Sequence, residues 1–390
     1  NQELFDKFKR QGYDNTEISQ LIANNLDVLK ILRRSAKTWD GGYAMSGIFG
    51  HGDAFIMRDP AGIRPAFYYQ DDEVLVAASE RPAIQTAFNV KIGQVKEIKP
   101  GHALIVKKDG TITEEMFKEP LPKKSCSFER IYFSRGSDAD IYKERKKLGE
   151  LLTPTILDRV NHDLEKTVFS YIPNTAEVAF YGLVEGLHNY NRQRQRDALI
   201  HSRDNLTNEE LDRILNTSPR VEKLAIKDVK MRTFITQDAD RSDMVSHVYD
   251  TTYGLIKRDV DTLVAIDDSI VRGTTLKQSI LRIFDRLGPV KIVIVSSAPQ
   301  IRYPDCYGID MSRMGEFVAF EAAITLLRER SLGHVINEVY EKCKAQENSP
   351  KEEVINHVKA IYEPFTAQEI SDKIAEIITP KEIGAKVEVI

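Results

Sequence analysis

The sequence predicts a chain in two parts, a mixed α+β region followed by an α/β region built on a parallel sheet. Three observations carry that prediction. Between Gly42 and Ile105, short runs of alternating polarity follow one another with turn residues between them. From about Ser125 to Cys343, strand-like and helix-like patterns alternate. Within that stretch, residues 263–275 read LVAIDDSIVRGTT and open a strand–loop–helix–strand unit.

Taken in order, residues 1–118 begin with helical spacing: Leu4, Phe5 and Phe8, then Ile18, Leu21, Ile22, Leu26, Val28 and Leu29. Strands are expected at Asp53–Ile56, Ala66–Tyr69, Val74–Ala77 and His102–Val106, with a hairpin turn at Lys107-Lys108-Asp109-Gly110. Glu119-Pro120-Leu121-Pro122-Lys123-Lys124 has the composition of a linker. The α/β part then contains a strand at Val168–Tyr171, and the apolar run Leu263–Ile266. A helix follows with Leu276, Ile280, Ile283, Phe284 and Leu287 on one face; Gly288-Pro289 stops it, and Ile292–Val295 is the next strand. An insertion at about 189–220 carries Arg192, Arg194, Arg196, Arg203 and Arg213, with a capping box from Thr207 to Glu210; it reads as a solvated helical excursion, because no aromatic stacking pattern accompanies the arginines. The last fifty residues are expected to be helical, with starts at Ser349-Pro350 and at the capping box Thr366 to Glu369.

Composition narrows the function classes. The 390 residues are 42% hydrophobic and 29% charged, ordinary values for a globular chain with room for two or three domains. A formal net charge of −4 offers no electrostatic case for nucleic acid or a membrane surface. No apolar run approaches the ~18 residues of a membrane span, and no signal peptide is read at the start. Three scattered cysteines, Cys126, Cys306 and Cys343, do not make a disulfide framework, so a reducing cytoplasm is expected.

The loop after Ile266 carries the chemistry. Asp267 and Asp268 lie at the carboxyl end of a parallel strand, where open sheets bind ligands. Gly273 lets backbone approach a ligand closely, and the N–H groups of Arg272, Gly273, Thr274 and Thr275 suit a phosphate, with the threonine hydroxyls as further donors. Two carboxylates repel phosphate, so they call for hydroxyls or a metal. A ligand with a terminal phosphate, neighbouring hydroxyls and a bound divalent cation fits both halves, and phosphoribosyl pyrophosphate (PRPP) with Mg²⁺ is such a ligand. The blander account is a strand end with an ordinary helix cap.

This loop resembles the PRPP loop of type I phosphoribosyltransferases, and its form DDSIVRGTT is similar to that of the amidophosphoribosyltransferase family. Further segments resemble that family in the same order. They are Gly41-Gly42-Tyr43, Arg58 to Pro65, Ala78-Ser79-Glu80, Pro100-Gly101, Phe128 to Arg135, Arg232 to Ile235 and Ala298 to Pro304 with Tyr307 to Asp310. The resemblance implies an N-terminally incomplete glutaminase-like domain of Ntn-hydrolase type at 1–118, a phosphoribosyltransferase domain with a parallel sheet at 119–345, and a helical C-terminal extension at 346–390. The family's glutaminase half starts with a nucleophilic cysteine; residue 1 here is asparagine, so either the sequence omits the first part of a longer chain, which is the expectation, or the domain is a degenerate form.

The resemblance also implies roles. Ammonia, from glutamine or free, would attack PRPP to give 5-phosphoribosylamine, the first step of purine (IMP) synthesis. Asp267 and Asp268 would hold the ribose hydroxyls and the metal-bound substrate, with Mg²⁺ as the cofactor. Ser269, Arg272, Gly273, Thr274 and Thr275 would bind PRPP, and Thr175 would face the leaving group from the loop 172–176, where Ala176 replaces a hydroxyl residue. Lys227, Lys230 and Arg232 would stabilise the departing pyrophosphate from a closing loop at 226–235, which lacks the family's tyrosine and glycine. Asn15 stands where the family carries the acid that grips glutamine, with Asp14 beside it. Some members hold a [4Fe–4S] cluster; Cys126 and Cys306 resemble two of its ligands, but the C-x-x-C pair is absent and no cluster is expected. Purine nucleotides are implied as feedback inhibitors, and a homo-oligomer as the assembly. The competing reading is a non-catalytic PRPP-binding regulatory protein, favoured by the altered loop and Ala176; a plain amidotransferase-class hydrolase lacks a nucleophile here. Arg58, Asp59 and His51 read as turn residues rather than catalytic ones.

Overall fold

The computed structural model describes residues 2–201, 206–227, 249–304, 311–350 and 353–390. The chain divides into two compact units, Asn1–Glu129 and Arg130–Ile390.

The first unit opens with helices α1 (Gln2–Arg10), α2 (Asn15–Asn25) and α3 (Val28–Ser35). An antiparallel sheet in the order β1-β2-β6-β7 is formed by Ala44–Ile48, Ala54–Arg58, His102–Val106 and Ile112–Met116. A smaller sheet, β4-β3-β5, is formed by Leu75–Ala78, Phe67–Gln70 and Lys96–Glu97, and helix α4 spans Arg81–Phe88. Side chains alternate across a strand, so the first sheet has two different faces. Met57, Ala103 and Ile105 pack against Val28 and Leu32 of α3, while Ile56 and Leu104 meet Tyr68, Leu75 and Ala77 of the second sheet and Ile98 just beyond β5. The layers are therefore helix, sheet and sheet. The hairpin turn lies where the sequence predicts it, with Gly110 at φ +88° and Lys107 N–H bonded to Thr111 O.

Arg58 and Asp59 are consumed by the turn between β2 and β3. The buried guanidinium donates to the carbonyls of Arg64, Ile98 and Gly62 and pairs with Glu97 at 2.7 Å. The fully buried Asp59 carboxylate accepts the N–H groups of Ala61, Ile63 and Arg64. Both are turn residues, as expected from Pro60 and Gly62 around them.

In the second unit, β8 (Thr167–Tyr171), β9 (Arg220–Val221), β12 (Thr262–Asp267), β13 (Lys291–Ser296) and β14 (Lys386–Val389) form one sheet in the order β14-β13-β12-β8-β9, every pair parallel. A separate antiparallel ribbon pairs β10 (Ala225–Lys227) with β11 (Tyr249–Thr251). The helices are α5 (Ala139–Arg159), α6 (Glu177–His201), α7 (Asn208–Asn216), α8 (Leu281–Arg286), α9 (Val318–Glu329), α10 (His334–Ala345), α11 (Lys359–Tyr362) and α12 (Ala367–Ile378). Buried on both faces, the central strands read as unbroken apolar runs. Phe169, Val264, Ile266, Val293 and Val295 face α5 and α6; Val168, Leu263, Ala265, Ile292 and Ile294 face the helices on the other side.

Helices α5 and α6 cross at backbone contact. A Cβ on Gly149 would sit 1.7 Å from Ala179 O, and one on Gly182 1.7 Å from Lys146 O. The insertion is helical: α6 continues to His201, and Gln195 ties it to the C-terminal end of α7 through Ile214 O and Thr217 O. Arg192, Arg194, Arg196 and Arg213 are exposed, whereas Arg203 lies outside the described residues.

Two boundaries differ from the sequence expectation. The units divide at 129/130 rather than 118/119, because Leu121 N–H and Lys124 N–H bond back to Pro60 O and Ala61 O and tie the linker to the first unit. The segment 346–390 carries the expected helices and capping box at Thr366, but Lys386–Val389 then adds a strand to the parallel sheet. It is part of the second unit, since four alternating residues become a strand only beside β13. Residues 354–356, after Ser349-Pro350, have no regular structure. Among the described residues no helix is long and apolar enough to cross a membrane.

Candidate functional site

The sheet order fixes where a ligand can enter. From β8 the chain reaches β9 on one side and β12 on the other, so the β8/β12 junction is a topological switch point, where open α/β sheets bind ligands beyond the strands' carboxyl ends. Two loops meet there. Ile172 N–H bonds to Ile266 O at 2.9 Å, which sets loop 172–176 beside the loop that starts at Asp267. The Pro173–Asn174 peptide is cis.

The acid pair is held firmly. Asp268 N–H donates to Asp267 Oδ1 at 2.8 Å, and Ser269 Oγ donates to Asp268 Oδ1 at 3.0 Å. From β13's end, Ser297 N–H bonds to Asp267 O, while Ala298 N–H and Ser297 Oγ bond to Asp268 O. Burial, and then the adjacent Asp268 charge, push the Asp267 carboxyl well above the usual carboxylate range. Burial raises Asp268 too, opposed by hydrogen bonds from the Ser269 and Thr175 hydroxyls and by the charge of Arg145. Thr175 thus reaches the acid pair. Ala176, only 1% exposed, packs against Ala179 and Phe180 in the core instead.

The ribbon β10–β11 supplies a facing wall. Lys227 and Tyr249 are register partners, with the ammonium 5.8 Å from the ring centroid. Burial lowers the Lys227 ammonium below its ordinary value, while Asp268 and Asp267 pull it back up. Burial, then the same two carboxylates, push the Tyr249 hydroxyl far above its usual range. Both side chains therefore sense the acid pair. Lys230 and Arg232 lie outside the described residues.

Further along the loop, Gly273 takes φ +69°, a left-handed conformation that favours glycine. The helix begins at Thr274, widens over Leu276–Ile280 and passes into α8. The predicted apolar face is buried: Leu276, Ile280, Ile283, Phe284 and Leu287 are all 9% exposed or less. Arg272 pairs with Glu316 at 2.5 Å. Asp267, Asp268, Ser269, Thr175 and Lys227 therefore gather at one end of the sheet, with Arg272, Gly273, Thr274 and Thr275 on the same loop.

No family model matches the chain, but individual proteins do. An amidophosphoribosyltransferase of Lachancea kluyveri is 27% identical over 339 residues, covering 82% of this chain and 59% of its own length. That of Saccharomyces cerevisiae is 25% identical over 371 residues, covering 90% of this chain and 66% of its own length. That of Escherichia coli is 29% identical over 302 residues, covering 74% and 52%. The chain resembles the amidophosphoribosyltransferases. It spans about three-fifths of the length of the first relatives it matches. Among solved structures, the Bacillus subtilis glutamine PRPP amidotransferase complexed with ADP and GMP superposes with a TM-score of 0.54 at 25% identity, covering 82% of this chain and 63% of that one. A structure of the allosteric regulatory enzyme of purine biosynthesis matches in fold, with a TM-score of 0.55 at 24% identity, covering 84% and 64%.

Beyond the residues shared in pattern with amidophosphoribosyltransferases, the structure adds three. Arg145 on α5 is buried and donates to Arg130 O at 2.9 Å and Ser134 O at 2.6 Å, close enough for its charge to act on Asp268. Tyr249 faces the acids from β11, and Glu316 pairs with Arg272. No local sequence pattern marks any of them, since each is brought in by the tertiary fold. Asn15 belongs to the first unit. It is exposed, accepts from Lys9 Nζ at 3.1 Å, and follows Asp14, whose carboxylate caps α2 through Thr16 N–H and Glu17 N–H. Cys126 and Cys343 are half-buried free thiols, and Cys306 lies outside the described residues.

Proposed function

We propose that the second unit binds PRPP and transfers its phosphoribosyl group to ammonia, the chemistry of an amidophosphoribosyltransferase. The observation that carries this reading is the acid pair Asp267–Asp268 at the switch point, flanked by the Gly273 turn and by Thr175. The ammonia nitrogen forms a bond to C1 of the ribose, the C1–O bond to pyrophosphate breaks, and the bonding pair leaves with pyrophosphate. Loss of a proton from nitrogen then gives 5-phosphoribosylamine, which commits the product to purine synthesis.

The residues divide the work. Asp267 and Asp268 accept hydrogen bonds from the two ribose hydroxyls, and backbone N–H groups of 272–275 with the Thr274 and Thr275 hydroxyls take the 5-phosphate. Lys227, joined by Lys230 and Arg232, offsets the charge growing on the leaving group, and Thr175 orients it. Positioning and electrostatics supply the rate, and no general base is needed on this unit. The donor set fits Mg²⁺ in one way only. Two carboxylates fall short of the six oxygens it prefers, and no cluster of three acidic, histidine or cysteine ligands exists among the described residues, so the ion would arrive bound to PRPP. When bound it neutralises pyrophosphate charge. Asn15 would meet the α-amino group of glutamine in the first unit, purine nucleotides would act as feedback inhibitors of a cytoplasmic homo-oligomer, and the cysteines would hold no cluster.

The test is Mg²⁺-dependent release of pyrophosphate from PRPP with ammonia as nucleophile. Ammonia-dependent release supports the transferase. Binding of PRPP without release overturns it in favour of the regulatory reading, and no binding overturns both.

A further inference from the structure

The loop read above as the phosphate seat is not self-supporting. A Cβ built on Gly273 would lie 2.6 Å from Ile378 Cγ2 and 3.8 Å from Val318 Cγ2, so two side chains occupy the space beneath the turn. Ile378, 1% exposed, is the last residue of α12, and Val318 is the first of α9. Both belong to the core that holds Ile270 and Leu276, the residues on either side of the loop. Two hydrogen bonds lock the same arrangement: Val318 N–H to Val271 O at 2.9 Å, and Lys277 Nζ to Ile377 O at 2.9 Å. Helix α12 is held in turn by β14, which follows it into the sheet.

We propose that Ile378 is a positioning residue for the phosphate loop: its Cγ2 methyl props the Gly273 turn from below and sets how far the N–H groups of 272–275 stand toward the ligand. Affinity for a terminal phosphate is thereby governed from the C-terminal segment. The reasoning is steric. Buried side chains are close-packed, and a backbone turn resting on a branched methyl sinks when the methyl is removed. This inference rests on the PRPP reading of the loop.

The branch separates positioning from simple core filling. Ile378→Leu keeps the volume and removes the Cβ methyl, whereas Ile378→Val keeps the methyl and loses volume. Leucine should raise KM for PRPP several-fold with kcat little changed, the pattern of lost uniform binding. Valine should leave KM near wild type even though it lowers Tm more. A cycle with Gly273→Ala makes the contact explicit. Alanine at 273 should weaken Mg²⁺–PRPP binding by about fiftyfold beside the native isoleucine, and by only about fivefold beside leucine, where the left-handed φ is the remaining penalty. Titration calorimetry with Mg²⁺–PRPP reads all four combinations, with circular dichroism as the check on folding. Equal losses in the isoleucine and leucine backgrounds, with wild type binding normally, overturn the inference alone. Absence of PRPP binding to wild type overturns the proposed function and the inference with it.

Discussion

Asp268→Asn should make the second unit less active and no less stable. The two carboxylates sit side by side in a partly buried site, Asp268 N–H bonded to Asp267 Oδ1, and burial together with mutual repulsion raises Asp267 well above the usual carboxylate range. A carboxyl with a raised folded-state pKa opposes folding in full above that raised value, and the opposition fades as pH falls from there to the ordinary carboxylate range. Asparagine removes one of the two charges while keeping the shape and the carbonyl acceptor that takes the Ser269 hydroxyl at 3.0 Å. Repulsion disappears at neutral pH, so Tm should hold or rise. Activity moves the other way. On the proposed reading, the ribose hydroxyl held by Asp268 exchanges a charge-assisted hydrogen bond for a neutral one, a loss of about 1–2 kcal/mol, or roughly 5- to 30-fold in kcat/KM. Pyrophosphate release from Mg²⁺–PRPP and ammonia measures the first quantity, and thermal unfolding followed by circular dichroism the second. Unchanged turnover would remove the loop from the mechanism; a clear fall in Tm would refute the account of like-charge strain at the site.

Two further outcomes test the packing. Asp53, only 3% exposed, is desolvated by burial, yet bonds from Lys107, the Lys108 N–H and His51 outweigh this and bring it from 3.8 to about 2. Because the folded value is depressed, the contribution, about 2 kcal/mol, is present above pH 4 and lost as pH falls toward 2. Denaturant unfolding of Asp53→Asn followed by Trp39, which packs in the first unit's core, should show that deficit at about pH 7 and its closure near pH 2; a pH-independent difference would contradict the ion-pair account. Gly149→Ala would place its methyl 1.7 Å from Ala179 O and force α5 away from α6, costing roughly 3 kcal/mol. Since α6 directly follows the 172–176 loop, KM for PRPP should rise together with the fall in Tm, and an unchanged Tm would refute the backbone-contact crossing.

What could be read from the sequence was local. The run Leu263–Ile266 ending in two acids, the Gly273 turn and the apolar face from Leu276 to Leu287 are adjacent in the chain, and hydrogen bonding and burial periodicity write them directly. The same holds for the capping boxes at Thr207 and Thr366 and for the insertion's helical form. By itself the sequence determined that a parallel strand ends in an acid pair, followed by a glycine turn and an amphipathic helix. Only tertiary structure decided what surrounds them. Lys386–Val389 is too short to declare itself a strand and becomes one beside β13. Arg145, Tyr249 and Ile378 reach the site from elements far along the chain, and no local pattern specifies such contacts, because they depend on how buried faces choose one another when the layers close.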